Sequence, residues 1–127
     1  MENNQKVFVD KIINWAAEKK AEEVMHIDVS DRCSFTDHLI ICNGSNELHV
    51  KAIAQHIIEQ AEKEQYRILS SEGLENANWV LLDFIDIIVH IFLTSKRAYY
   101  RLEDLWEKSP REREITDKND DQAENNN

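Results

Sequence analysis

The sequence predicts an α+β domain, an α/β sandwich with helices packed on a mixed β-sheet, and three kinds of stretch predict it. Residues 79–93 are dense in Val, Ile, Phe and Trp and sort by parity into two strands, the pattern of a pleated, half-buried surface. Residues 7–20 and 47–61 instead repeat apolar side chains at the 3.6-residue period of a helix. Leu39-Ile40-Ile41 is a continuous apolar run, as expected of a central strand covered on both faces.

Taken in order, the elements read α-β-β-α-β-β-β-α. The first helix, Val7 to Lys20, has a stripe of Val9, Ile12, Ile13 and Ala16 flanked by Phe8 and Trp15. A short strand follows over Val24 to Val29, with Met25, Ile27 and Val29 on one face. The second strand spans Asp37 to Cys42. Asn43-Gly44-Ser45-Asn46 breaks it and starts the second helix, which Ser45 or Asn46 can cap and Glu47 favours electrostatically. Val50, Ile53, Ala54, Ile57, Ile58 and Ala61 form the cleanest amphipathic stripe of the chain. Arg67 to Leu69 is a minimal strand, and Ser70 to Asn78 reads as a polar loop.

The last two strands define the architecture. Val80, Leu82 and Phe84 share a face with Ile87, Val89, Ile91 and Leu93, and that face is wholly apolar. The opposite face mixes Trp79, Leu81, Ile88 and Phe92 with Asp83, Asp86 and His90. A solvated face rarely carries so much apolar surface, so it is covered by a second layer of the domain or by another molecule. Thr94 or Ser95 starts a final helix with Ala98, Tyr99, Leu102, Leu105 and Trp106 inward, and Pro110 closes the fold. Residues 1–108 thus form one domain. Residues 109–127 hold one large apolar side chain, Ile115, and six acidic against three basic residues, so they read as a disordered acidic tail.

Composition narrows the function classes. A chain of 127 residues that is 42% hydrophobic suits one core. Its net charge of −10 argues against wrapping nucleic acid, whose affinity comes from phosphate neutralisation, so neither DNA nor extensive RNA contact is expected. The same charge suits a basic protein partner and speeds encounter with it. Two cysteines, Cys33 and Cys42, make no disulfide framework. No apolar run approaches the length of a membrane span, and the first residues show no targeting pattern, so a cytoplasmic location is expected.

Candidate chemistry is sparse. Gly44-Ser45 at a strand-to-helix turn could cradle a phosphate against the helix amides. A nucleotidyltransferase using it with Asp83 and Asp86 is the alternative function. Such enzymes place their magnesium carboxylates one residue apart on a strand, whereas Asp83 and Asp86 are three apart across a turn. A turn with a helix cap is the simpler reading. His49 and His56 stand about 10 Å apart along one helix, too far for one ion. Asp86 and His90 are about 13 Å apart along their strand and read as polar members of the covered face. Cys42 reads as a small core residue, and Cys33 receives no role. No catalytic set, metal or cofactor is expected.

These residues resemble the Iojap family, the ribosomal silencing factors. The matching pieces are W-V-L-L-D-F at Trp79 to Phe84, D-I-I-V-H-I-F at Asp86 to Phe92, and Y-Y-R-L-E-D-L-W at Tyr99 to Trp106. Upstream, D-V-S at Asp28 to Ser30, F-T-D-H-L-I-I-C-N-G-S at Phe35 to Ser45, His49, and A-I-A at Ala52 to Ala54 also match. The resemblance covers roughly residues 5 to 107, and its ordered combination is specific. It implies a nucleotidyltransferase-like topology without that chemistry, and a homodimer when free. It also implies binding to the large ribosomal subunit through its fourteenth ribosomal protein, which blocks joining of the small subunit and represses translation under nutrient limitation. Glu72, Trp79, Leu81, Asp83 and Asp86 lie in or beside the mixed face and are the expected contact residues, with Trp79 the central anchor. One departure stands out: the family commonly has Gly between the two strands, and this chain has Ile85. A β-branched residue is costly at positive φ, so a looser turn is expected.

Because residues 109–127 lack core side chains, deleting Arg111 to Asn127 should leave the melting temperature nearly unchanged. A fall of more than a few degrees in a thermal melt would show that this segment packs on the body.

Overall fold

Two central strands, each apolar on both faces, hold the domain together. The computed structural model describes residues 4–31 and 33–96. Helix α1 spans Asn4–Glu18, strand β1 Glu22–Asp28, β2 His38–Gly44, helix α2 Glu47–Lys63, β3 Ser70–Glu72, β4 Trp79–Asp83 and β5 Ile87–Leu93. A 3₁₀ turn at Thr94–Lys96 follows. The strands form one mixed sheet in the order β1-β2-β5-β4-β3. β2 and β5 run parallel over seven paired residues, from His38 beside Ile87 to Gly44 beside Leu93. All other pairings are antiparallel. The expected final helix and the acidic tail lie outside the described residues.

Both helices pack on one face. Most of each expected stripe is buried there: Val9, Ile12 and Ala16 with flanking Phe8 and Trp15 from α1, and Val50, Ile53, Ala54, Ile57 and Ala61 from α2, while Ile13 and Ile58 are only half-buried against the cluster. They meet Ile40 and Cys42 of β2, Val80 and Leu82 of β4, Phe84, and Ile87, Val89 and Ile91 of β5 in one cluster. Phe8 stacks on Tyr66 and meets Phe84 edge-on, which closes the cluster at one end. His56 Nε2 meets Glu18 Oε1 at 2.7 Å, and a Lys11–Glu64 ion pair joins the helices further along.

The differences from expectation have local causes. The third strand is Ser70–Glu72, not Arg67–Leu69, so the supposed polar loop begins as a strand. Ser-Ser-Glu has no apolar alternation, and only pairing with β4 makes it extended. Helix α1 starts at Asn4 rather than Val7, and its polar first turn carries no apolar periodicity to mark it in the sequence. β1 begins at Glu22, where a register irregularity accompanies a left-handed Glu23. β2 runs on through Asn43 and Gly44 because Phe92 and Leu93 pair with them.

The turn at Ile85 is the clearest correction. It is tight, and Ile85 sits at φ +79°. Asp86 N–H donates to Phe84 O at 3.0 Å, closing a γ-turn around Ile85. Asp83 Oδ1 accepts from Ile85 N–H at 2.8 Å, and Phe84 N–H donates to Ile87 O at 2.9 Å. Asp86 O accepts from the N–H groups of both Asp37 and His38. The surrounding hydrogen bonds impose the conformation despite a cost on the order of 1–3 kcal/mol.

Gly44 is also set by packing. A Cβ there would lie 2.7 Å from Val50 Cγ2 and 2.8 Å from Val50 N. Gly44→Ala should therefore force β2 and α2 apart and destabilise the domain by about 1–3 kcal/mol, read by urea unfolding. A cost below about 0.5 kcal/mol, the range of an ordinary surface change, would refute this packing account.

Candidate functional site

Opposite the helices, the sheet has its second face. Pairing sets Met25, Ile41, His90, Leu81 and Glu72 in one cross-strand row, and Ile27, Leu39, Ile88, Asp83 and Ser70 in the next. Trp79 stands opposite Phe92 beyond them. The middle of this face is buried within the chain. Val29, Leu39, Leu81 and Ile88 form one cluster with Cys33 and Phe35 packed against it, and Ile41, Trp79 and Phe92 form a second. Trp79 is 8% exposed and Leu81 2%, so both are core residues with little side-chain area left for a partner.

A buried polar contact fixes that core. Trp79 Nε1–H donates to His90 Nδ1 at 2.9 Å, and the rings of Trp79, His90 and Phe92 pack side by side. Accepting at Nδ1 places the neutral ring's proton on Nε2. His90 is 1% exposed, and burial pushes its pKa down to about 3. The ring is thus a fixed neutral acceptor and does not act as a base near neutrality.

The remaining expected contact residues lie at the rim. Glu72 and Asp83 are half-buried and Asp86 is exposed. Asp83 spends one carboxylate oxygen on the Ile85 amide. The structure therefore brings Asp83 and Asp86 to either side of the β4–β5 turn, with Ile85 between them at 49% exposure. Leu69, 63% exposed, is tied by its N–H to Asp83 O at 2.7 Å. Sequence reading missed Ile85 and Leu69 as surface candidates. The available signal was a large apolar residue between two carboxylates in a turn.

The phosphate-cradle reading of Gly44-Ser45 finds no support. Ser45 N–H already donates to His49 Nδ1 at 2.8 Å, and His49 Nε2 reaches Lys19 O at 2.8 Å. Asn46 caps α2, accepting from His49 N–H at 2.9 Å. His49 pins the turn, joining it to the left-handed turn at Lys20. The helix-start amides at Ser45 and His49 are thus satisfied by the chain itself.

One more polar chain runs along the β1–β2 end. His26 Nε2 lies 2.9 Å from His38 Nδ1, His38 Nε2 3.2 Å from Gln5 Oε1, and Gln5 Nε2 donates to Asp37 Oδ2 at 2.9 Å. Burial and then the neighbouring His38 hold His26 below its ordinary pKa. Among the described residues, no group of three or more His, Cys, Asp or Glu is placed to hold a metal ion. Nor is any described helix long and apolar enough to cross a membrane.

These features define a class: a small α+β domain with a mixed five-stranded sheet, helices on one face, and its buried polar groups committed to its own turns and core. The chain belongs to the ribosomal silencing factor family, because the family model described as "Ribosomal silencing factor during starvation" matches residues 2–127. It is 35% identical over 107 residues to "Ribosomal silencing factor RsfS" of Bacillus subtilis, covering 84% of this chain and 91% of that one. A crystal structure of a Chromobacterium violaceum protein superposes with a TM-score of 0.76 at 29% identity, covering 83% of this chain and 88% of that one. A mouse relative named "Mitochondrial assembly of ribosomal large subunit protein 1" is 24% identical over 80% of this chain, which spans 46% of its length.

The buried histidine has a thermodynamic consequence. Its folded pKa lies below the unfolded value near 6.5, so stability is full above that value and falls as pH drops below it. At pH 5 the loss from His90 should be roughly 2 kcal/mol. His90→Gln keeps an acceptor for Trp79 and cannot titrate there. Its melting temperature should fall less than the parent's between pH 7 and 5, and equal slopes would place the acid sensitivity elsewhere.

Proposed function

We propose that this protein binds the large ribosomal subunit through its fourteenth ribosomal protein and sterically blocks joining of the small subunit, repressing translation when nutrients are limiting. Membership of the silencing-factor family carries the reading. The mouse relative's name adds a link to the large subunit. The mechanism needs occupation rather than turnover, so no catalytic residue, metal or cofactor is invoked. The proposed setting is the cytoplasm, and the proposed free form is a homodimer.

The contact surface proposed is the β3–β4 edge with the β4–β5 turn. Glu72, Asp83 and Asp86 supply carboxylates for a basic protein, while Trp79 and Leu81 hold β4 in place from within the core. A net charge of −10 makes RNA repel the protein, so docking depends on meeting the protein patch. Two contacts count against the nucleotidyltransferase alternative at its own turn. The Ser45 amide is occupied by His49, and packing against Val50 accounts for Gly44.

Sedimentation with purified subunits tests the reading. The protein should travel with large but not small subunits and should lower the yield of joined ribosomes. Asp86→Asn should slow association several-fold at low salt and weaken its salt dependence. Absence from the large-subunit fraction at micromolar protein would sink the proposal.

A further inference from the structure

Ile85 combines two features that rarely meet. Its backbone is in the left-handed region at φ +79°, where a β-branched side chain is a genuine outlier. Its side chain nevertheless stays 49% exposed, so burial does not fully offset the strain. A single exposed isoleucine in relaxed backbone would need no explanation. A strained one, held by hydrogen bonds at Asp83, Phe84 and Asp86, points to what the tip presents.

The surroundings indicate the partner's chemistry. Ile85 walls a groove of about 260 Å³ lined also by Phe8, Tyr66 and Phe84 and by the charged side chains of Arg67 and Asp86. Exposed Leu69 is anchored beside Asp83. An apolar tip between two carboxylates, on a chain of net charge −10, is complementary to an apolar side chain set among lysines and arginines. Phosphate-rich RNA would meet repulsion there and gain nothing from the tip.

We propose that Ile85 is an apolar contact residue, held in a strained turn, that docks with its groove against a basic protein surface of the large subunit. This rests on the proposed function and adds a contact that the sequence pattern did not single out. The tip leads the interface, and Phe84, buried next to it, anchors the turn in the core.

The test compares Ile85→Gly with Ile85→Ala by thermal melt and by affinity for purified large subunits. Both remove the apolar side chain, and only Gly removes the strain. Ile85→Gly should melt above Ile85→Ala, and both should bind at least tenfold more weakly than the parent. If either stays folded and binds within twofold of the parent, the contact assignment is overturned. If Gly melts no higher than Ala, the strain argument fails. Parent binding to naked large-subunit RNA as tight as to whole subunits would overturn the protein-partner assignment. A parent that does not bind large subunits at all would instead sink the proposed function, so the two failures are distinguishable.

Discussion

The parallel pairing of β2 with β5 is the constraint on which the rest depends. Seven consecutive residue pairs place two strands from distant parts of the chain side by side at the sheet centre. Both faces of those strands must be covered, because Leu39, Ile40, Ile41, Ile87, Ile88, Val89 and Ile91 are all buried. Helices α1 and α2 cover one side, packing the alternate residues Ile40, Val89 and Ile91. Parallel neighbours also require a crossover, and α2 with the β3–β4 hairpin supplies it. The pairing carries β2 as far as Gly44, where only the absence of a Cβ lets the chain turn into α2 beneath Val50.

Several histidines act in this fold as connectors. His49 joins the start of α2 to the α1–β1 turn, His56 joins the two helices, and His90 holds the indole of Trp79. His26 and His38 continue a hydrogen-bonded chain to Gln5 and Asp37 at the sheet end. The Trp79–His90 bond satisfies groups that burial would otherwise penalise, while the others tie segments together at exposed or half-buried positions. The two histidines held below their ordinary pKa, His26 and His90, bind their protons less readily when folded, so acid opposes the folded state. Histidine content alone would have suggested catalysis or metal binding. The geometry instead assigns these rings to turns, helix contacts and core packing.

The β4–β5 turn shows how a local rule can fail. Ile85 disfavours positive φ, so sequence logic expects a looser connection. The turn forms anyway, because β4 and β5 are both buried and must pair closely, from Asp83 beside Ile88 to Trp79 beside Phe92. Sheet pairing outweighs a local cost on the order of 1–3 kcal/mol. The result displays an apolar residue between Asp83 and Asp86, at the acidic end of the sheet.

The sequence by itself determined the fold class, the two helical stripes, and the inward face of β4 and β5, because periods of 3.6 and 2 reflect local geometry. It also supported the family, through motifs spread in order along the chain. The tertiary structure alone decided that β2 lies between β1 and β5, that Ser70–Glu72 pairs as an edge strand, and that Ile85 accepts a left-handed turn. It also decided that Trp79 and Leu81 are core residues rather than an open surface. Parity places a side chain on a face, but whether that face is wet depends on segments far away in the chain. The position of Trp79 was therefore legible in the sequence, and its burial was not.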